Sequence, residues 1–423
     1  MADGPGLSPV QRGGGLAALG RDVARLGPWR FAALFALFIV STGWLVGGLE
    51  ASWRWKPPHL VNTEDSPLGH DFIAVWSTAS LARAGHPEAP YDQEALHAAE
   101  IRAIGAPVPG VPWFYLPSFL LLVLPLATMP YLVAFAVWLG APLVALARIQ
   151  RRLWPHPLAP LAAVIFPGTA QCLTIGQNGI FSAALLAGGL LALETRPVAA
   201  GLLFGVLSYK PQLAFAVFAA LLFGRHWRAL GVALASALAL AAASLAAFGW
   251  ETWRRGLEGL GAARHALEAG EVAWDRLVTV FAALRLAGVG STLAYALQSL
   301  AALAALAALW WVWRRPAPLA LRASALALAI PLTTPYAFDY DLVMLLLPLS
   351  VLLQEGLSTG FRRGEAPLLV LVWLCPAVGW LLASWWHLLT PVFLALLLLA
   401  TLRRVSESAA AALPIGWAPQ SLR

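Results

Sequence analysis

Residues 31–49 carry no charged side chain, and comparable charge-free stretches follow at 103–147, 153–193, 229–250, 286–313, 323–338, 342–354 and 366–402. One more, 197–224, is interrupted only by Lys210. Nothing else in the chain constrains its fold as much. The hydrocarbon core of a bilayer takes about 20 apolar residues per helix, and most of these stretches hold enough for one or two crossings. With 60% hydrophobic and only 12% charged residues, a balance few soluble domains show, the expected class is an all-α, polytopic integral membrane protein.

Short cytoplasmic loops retain Lys and Arg, so the arginine clusters set the sidedness. Arg12, Arg21, Arg25 and Arg30 precede the first span, and later groups are Arg148/Arg151/Arg152, Arg225/Arg228, Arg314/Arg315/Arg322, Arg362/Arg363 and Arg403/Arg404. Placing all of them inside gives about twelve transmembrane helices with both termini cytoplasmic. A transmembrane region, 30–404, then lies between a weakly amphipathic arm, 1–29, and a disordered tail, 405–423. The two long loops, 50–114 and 250–290, face outward, and everything inside is short, which puts the chemistry outside. The net charge of +7 follows from this orientation and calls for no nucleic-acid partner, since no basic patch is interleaved with stacking aromatics. The first span is too long, and too far behind its arm, for a cleavable signal. Cys172 and Cys375 have no metal-like spacing and read as packing residues.

Three details of the path matter. Residues 115–148 must cross an odd number of times, which predicts a short embedded helix broken near Pro125 and Pro130, then a full span. The sequences "TIGQNG" at 174–179 and "SYKPQ" at 208–212 fall at outer turns. The spans flanking Lys210 hold only about 12 to 14 residues, or about 20 Å of helix, so Lys210 is expected in a cavity below the outer surface.

No GxGxxG, P-loop or HExxH occurs, and the inner loops are too short to build a nucleotide-binding domain. An activated substrate must then arrive from the lipid. The stretch "GHDFIAVWSTASLARAGHPEAPYD" at 69–92 fits that setting. Phe72, Val75, Trp76 and Ala79 share one helical face behind Asp71, Gly85 ends the helix, and a second helix runs from Asp92 to Gly105. Both are expected to lie in the outer interface, with Phe72 and Trp76 shaping a lipid entrance. Asp71 is a good N-cap by residue type. A carboxylate at a positive helix end also stays ionised, as a general base must.

In order and spacing, "DFIAVWSTASLARAGHPEAPYD", "WFYLPSFLLLVLPLATMP", "IGQNGIFSAALLAGGLLALETRPVAAGLLFGVLSYKPQ" and "PLTTPYAFDYD" resemble glycosyltransferase family 87. These are membrane enzymes of the GT-C class that include polyprenol-phosphate-mannose-dependent mannosyltransferases. The resemblance covers about residues 30–350. It implies an outward active site and a polyprenyl-phosphate sugar, with mannose favoured, as donor. It also implies that Asp71 is the family's catalytic acid position, and it matches Gly176, Gln177 and Asn178, and Lys210 with Pro211, to recurrent family turns. The chain departs from the family at "YLPS", 115–118, and at Val75 and Trp76.

An inverting transfer to a lipid or glycan hydroxyl needs one carboxylate to take the proton and positive charge for the departing phosphate. Lys210, the one basic residue within the apolar part, is the first candidate for that charge, with His70, Arg254 and Arg255 beside it. Arg264, Arg276 and Arg285 share the second loop, and the sequence does not choose among them. Gln177 and Asn178 are candidates for sugar hydroxyls. In "FDYD", Asp339 and Asp341 with Tyr336 and Tyr340 either contact acceptor or a divalent metal, or form a cap and aromatic belt. Their Asp-x-Asp spacing is not read as the nucleotide-sugar signature of soluble glycosyltransferases, and the expected reaction calls for no cofactor, with a divalent metal left open. The alternative is a transporter or flippase of lipid-linked sugars, which would show matching halves; none are seen.

Overall fold

A computed structural model describes residues 15–381 and 388–411. The start of the N-terminal arm and most of the expected tail lie outside the described residues. Where described, both ends are helical: the first helix is Gly15–Trp53 and the last, Thr390–Ala411, continues beyond 404. Arg404 within it is 2% exposed, and its guanidinium bonds both oxygens of buried Glu365.

Among the described residues the regular elements are all helical, joined by three isolated β-bridges. Five helices are long and apolar enough to cross a membrane: Ala32–Trp53, Tyr131–Leu153, Trp227–Ala269, Ser291–Trp313 and Asp339–Thr359. Six shorter apolar ones accompany them, at Pro117–Thr128, Gly179–Ala192, Pro197–Leu207, Pro211–Phe223, Leu319–Leu332 and Glu365–Ala377. The long Trp227–Ala269 element is two helices in fact, broken at Gly249 (φ 77°, ψ 172°), a conformation open mainly to glycine. The second half, 250–269, occupies much of the loop expected at 250–290.

Local sequence explains the short pieces. Pro117, Pro167, Pro197 and Pro211 each open a helix, where proline's missing N–H costs nothing and its fixed φ is already helical. The region after Tyr115 follows the predicted path, with Pro117–Val123, a 3-10 turn over Leu124–Thr128, then Tyr131–Leu153. Asp92 caps Gln93–Ile104 by accepting from the Glu94 and Ala95 N–H groups, and Gly105 (φ 81°) closes that helix.

The three helices around the polar turns are 14, 11 and 13 residues long, about 17 to 21 Å each. Gly179–Ala192 starts at the "GQN" turn and ends beside Glu194, which pairs with Arg322 at 2.8 Å. Pro197–Leu207 returns to Lys210, and Pro211–Phe223 leaves it again for Arg225. The two polar turns therefore share one end of the bundle, and Glu194, Arg225 and Arg322 share the other.

The Phe72–Arg83 helix is not laid on a surface by one face. Phe72, Ile73, Ala74, Val75, Ser77, Thr78 and Ala79 are all buried, as in a helix covered all round. It packs against Leu124–Thr128 and Gln93–Ile104. Phe72, expected at a lipid entrance, is instead a core residue at 0% exposure, ringed by Tyr131, Phe135 and Trp138. Trp76 is half-buried and donates its Nε1–H to the Met129 carbonyl at 3.1 Å.

Candidate active site

Five segments meet at the polar end of the bundle: 69–72, 175–179, 209–210, 276–278 and 336–341. Their junction depends on close backbone approach. Gly176 sits at φ 74°, and a Cβ there would strike the Gly69 carbonyl. A Cβ on Gly179 would run into the Tyr340 carbonyl. Only glycine fits either place. The Asp71 N–H donates to the Ile175 carbonyl at 3.0 Å, Trp138 Nε1 to Gly176 O at 2.9 Å, and the Tyr131 hydroxyl to Leu68 O at 2.7 Å.

Asp71 does precede a helix, but its side chain makes no capping bond and its backbone is already helical. The capping account of this residue therefore fails. Its Oδ2 accepts from Gln177 Nε2 at 2.8 Å. Among the described residues Oδ1 takes no hydrogen bond, so a half-buried carboxylate is steered by one amide with its other oxygen open. Neighbouring His70 holds φ 40°, a costly backbone position for a non-glycine residue. Burial pushes its pKa below the ordinary value, Asp71 opposes that and Arg276 adds to it, so the imidazole is neutral at neutral pH.

Asn178 is 2% exposed. It donates Nδ2–H to the Tyr115 hydroxyl at 2.7 Å, while its buried Oδ1 has no hydrogen-bond partner among the described residues. A buried amide oxygen left unbonded costs roughly 1–3 kcal/mol. The "GQN" turn thus splits its work, Gln177 toward Asp71 and Asn178 toward Tyr115.

Lys210 is buried as expected, at 2% exposure, but it does not snorkel and does not face an open site. Its Nζ lies 2.6 Å from Asp341 Oδ1, with both side chains at 3% exposure or less. Asp341 Oδ2 meanwhile accepts from the Phe338 N–H at 3.1 Å. The two are therefore engaged with each other. Asp339 is also paired: Arg276 lies 3.4 Å away, its side chain 23% exposed against 0% for Asp339. The Tyr340 ring separates the two pairs, 5.0 Å from Lys210 Nζ and 5.8 Å from the Arg276 guanidinium. Tyr336 stays half-buried, edge-on to Phe338 at 5.3 Å.

The loop arginines are now distinguishable. Arg254 and Arg255 are exposed on the 250–269 helix and pair with its own Glu251 and Glu258. No contact ties them to Asp71. Arg276 is the one brought to the site, because an antiparallel bridge between Leu277 and Phe338 fixes its strap against the "FDYD" segment. Burial works against its charge, yet Asp339 and then Asp71 hold its pKa above the ordinary value. Sequence points to Tyr340 only as part of an aromatic belt with Tyr336 and does not single out Tyr115, because an aromatic at a helix end, as in "WFYLP", reads first as packing.

The end of the bundle thus joins one open carboxylate, one half-open guanidinium and several amide and phenol groups around a turn sunk by short helices. The model of glycosyltransferase family 87 matches residues 113–335, just over half of the chain. No curated protein and no solved structure matches it.

Proposed function

The chain belongs to glycosyltransferase family 87 and is a membrane glycosyltransferase, and from that premise we propose that it moves a sugar from a polyprenyl-phosphate donor to a lipid or glycan hydroxyl. Mannose is the sugar we favour, from the resemblance above. The proposed membrane is the plasma membrane, crossed about twelve times, with both termini cytoplasmic and the site outward.

The observation that carries the mechanism is the free-facing Asp71 carboxylate. Asp71 Oδ1 takes the proton of the acceptor hydroxyl as that oxygen forms its bond to the anomeric carbon. The bond from that carbon to the donor phosphate breaks on the opposite face, with inversion, and the electron pair leaves on phosphate. Gln177 holds Asp71 Oδ2 during the step. Arg276, not Lys210, meets the phosphate, since of the two site cations it is the one with an exposed flank. The buried Oδ1 of Asn178 accepts from a substrate hydroxyl.

The test compares wild type with Asp71→Asn in liposomes carrying labelled polyprenyl-phosphate mannose and a crude lipid acceptor extract. Since Asp71 does not cap, Asn should preserve the fold and donor binding while lowering transfer about 10²-fold or more. Label that only changes leaflet, equally with both proteins, would sink the transfer reading in favour of a flippase.

A further inference from the structure

The Trp227–Ala269 element does not run straight out of the bilayer. Its first part, residues 227–248, measures about 33 Å, close to the roughly 30 Å of the hydrocarbon core, and the break at Gly249 follows at once. The second part, 250–269, then crosses the site end of the bundle. Gly256 packs on Pro117 and Tyr91, at the start of the short helix that follows Tyr115. Leu267, about 17 Å further along, joins Leu277, Phe281 and Ala294. Leu277 adjoins Arg276, and Ala294 lies in the first turn of Ser291–Trp313. A helix tied at both points runs over the end of the bundle rather than away from it.

At about 100° per residue the side chains of this helix sort into three faces. Thr252, Gly256, Ala266 and Leu267 are buried against the protein. Trp250, Trp253, Leu257 and Leu260 fall within about 80° of one another on one flank, and Glu251, Arg254, Glu258 and His265 share the other. Trp250 is 66% exposed, Leu257 47% and Leu260 41%. Arg254, Arg255 and Arg264 are matched by Glu251, Glu258 and Glu268 of the same helix, so no net charge calls for an oppositely charged partner. The helix offers instead an apolar flank that starts directly after the break and continues the exposed face of the span, Leu234, Leu238 and Leu245. Trp253 adds a buried indole N–H with no acceptor among the described residues, and a lipid ester carbonyl supplies one. Tryptophan at the end of an apolar span favours the headgroup layer.

We infer that the 250–269 helix is seated in the headgroup layer on the site's side of the membrane, its tryptophan and leucine flank in lipid and its charged flank in water, and that this seat fixes the depth of Arg276. The connection to Arg276 is short. Trp274 Nε1 donates to Leu267 O at 2.7 Å. Arg285 donates to Glu268 O at 3.1 Å and lies 4.5 Å from the Trp274 ring. The turn that carries Arg276 is thus laced to the last turn of the seated helix. The seat does not depend on the transferase reading; its effect on donor affinity does.

The experiment places single nitroxides on Leu257→Cys, Leu260→Cys, Glu258→Cys and Ala262→Cys in nanodiscs and compares relaxation by oxygen with relaxation by a water-soluble nickel chelate. Wild type is the control and should take no label, since Cys172 and Cys375 are 0% exposed. The oxygen-to-nickel ratio should be at least 5-fold higher at 257 and 260 than at 258 and 262. Nickel reaching all four equally would put the helix in water, and exclusion of both reagents from 257 and 260 would put a second copy or another protein on the flank; either result overturns the seat. Leu257→Glu/Leu260→Glu should raise KM for labelled polyprenyl-phosphate mannose at least 5-fold at unchanged kcat, while Ala262→Glu leaves both unchanged. An unchanged KM in the double variant would overturn the link to Arg276. The expected nitroxide pattern in a protein that transfers no sugar would remove the reaction and keep the seat; transfer with all four labels in water would do the reverse.

Discussion

Removing Lys210 and Asp341 together should cost less than the sum of removing each alone. Their contact is 2.6 Å, with side chains 3% and 2% exposed. At an effective dielectric of about 20, unit charges at that separation attract by roughly 6 kcal/mol, and much of that offsets the cost of taking both from water. Lys210→Met leaves the Asp341 carboxylate buried and uncompensated, which should cost about 3–5 kcal/mol. Asp341→Asn strands the ammonium at a similar cost, although Asn can still accept from the Phe338 N–H. In Lys210→Met/Asp341→Asn no charge is left stranded, so the double variant should be less destabilised than the two single losses summed, by about 2–4 kcal/mol. SDS titration of the four proteins in mixed micelles, followed by tryptophan fluorescence, measures this coupling. Losses that add to within about 0.5 kcal/mol would show that the two charges do not act as a pair and would refute the reasoning. The same double variant separates scaffold from chemistry: if it folds and binds the isoprenyl-phosphate sugar as wild type does, Lys210 is not a donor contact.

Gly179→Ala should fail to assemble the site, because its methyl group collides with the Tyr340 backbone rather than with a movable side chain; we expect a loss of several kcal/mol, read as a lowered melting temperature, whereas Gly231→Ala, with nothing near its Cβ, should be neutral or stabilising. Arg276→Gln should raise KM for the donor at least 10-fold, a charged hydrogen bond being worth about 1.5–3 kcal/mol, while Arg254→Gln, on an exposed helix, should leave it unchanged; steady-state transfer assays distinguish the two. Glu100 supplies a pH test. It is fully buried and accepts from the Val111 N–H at 3.1 Å. Burial lifts its pKa from near 4.5 to about 7, with the Val111 N–H and His97 opposing. A raised carboxyl pKa contributes stability that is complete below pH 4.5 and is lost as pH rises through 7. Glu100→Gln, which stays neutral, should thus be more stable than wild type by about 1–3 kcal/mol at pH 8 and indistinguishable from it near pH 4.5; thermal melts giving the same difference at both pH values would exclude ionisation as the cause.

Much of the backbone was readable because its signals are local. Charge-free stretches gave apolar helices, and proline and glycine gave their ends, as at Pro211, Gly105 and Gly176. Asp92 announced its helix by being a cap, and Lys210 announced its burial by being the one charge between two short apolar segments. The same local reading fails for the cap at Asp71 and for the setting of Phe72. Both stand at a helix start, and only the neighbours across the fold decide that Asp71 turns to Gln177, 106 residues away, and that Phe72 is sealed under Tyr131, Phe135 and Trp138.

Local sequence makes this chain helical, apolar enough for a membrane, and equipped with a carboxylate and a few polar turns, since helix periodicity, proline geometry and the cost of bare charge in hydrocarbon act on neighbouring residues. The tertiary structure alone decided who meets whom. Lys210 could have faced a phosphate, but Asp341 reaches it across 131 residues; any of five loop arginines could have entered the site, but the bridge from Leu277 to Phe338 delivers Arg276. A buried charge demands a partner, and the sequence states the demand without naming which distant residue answers it.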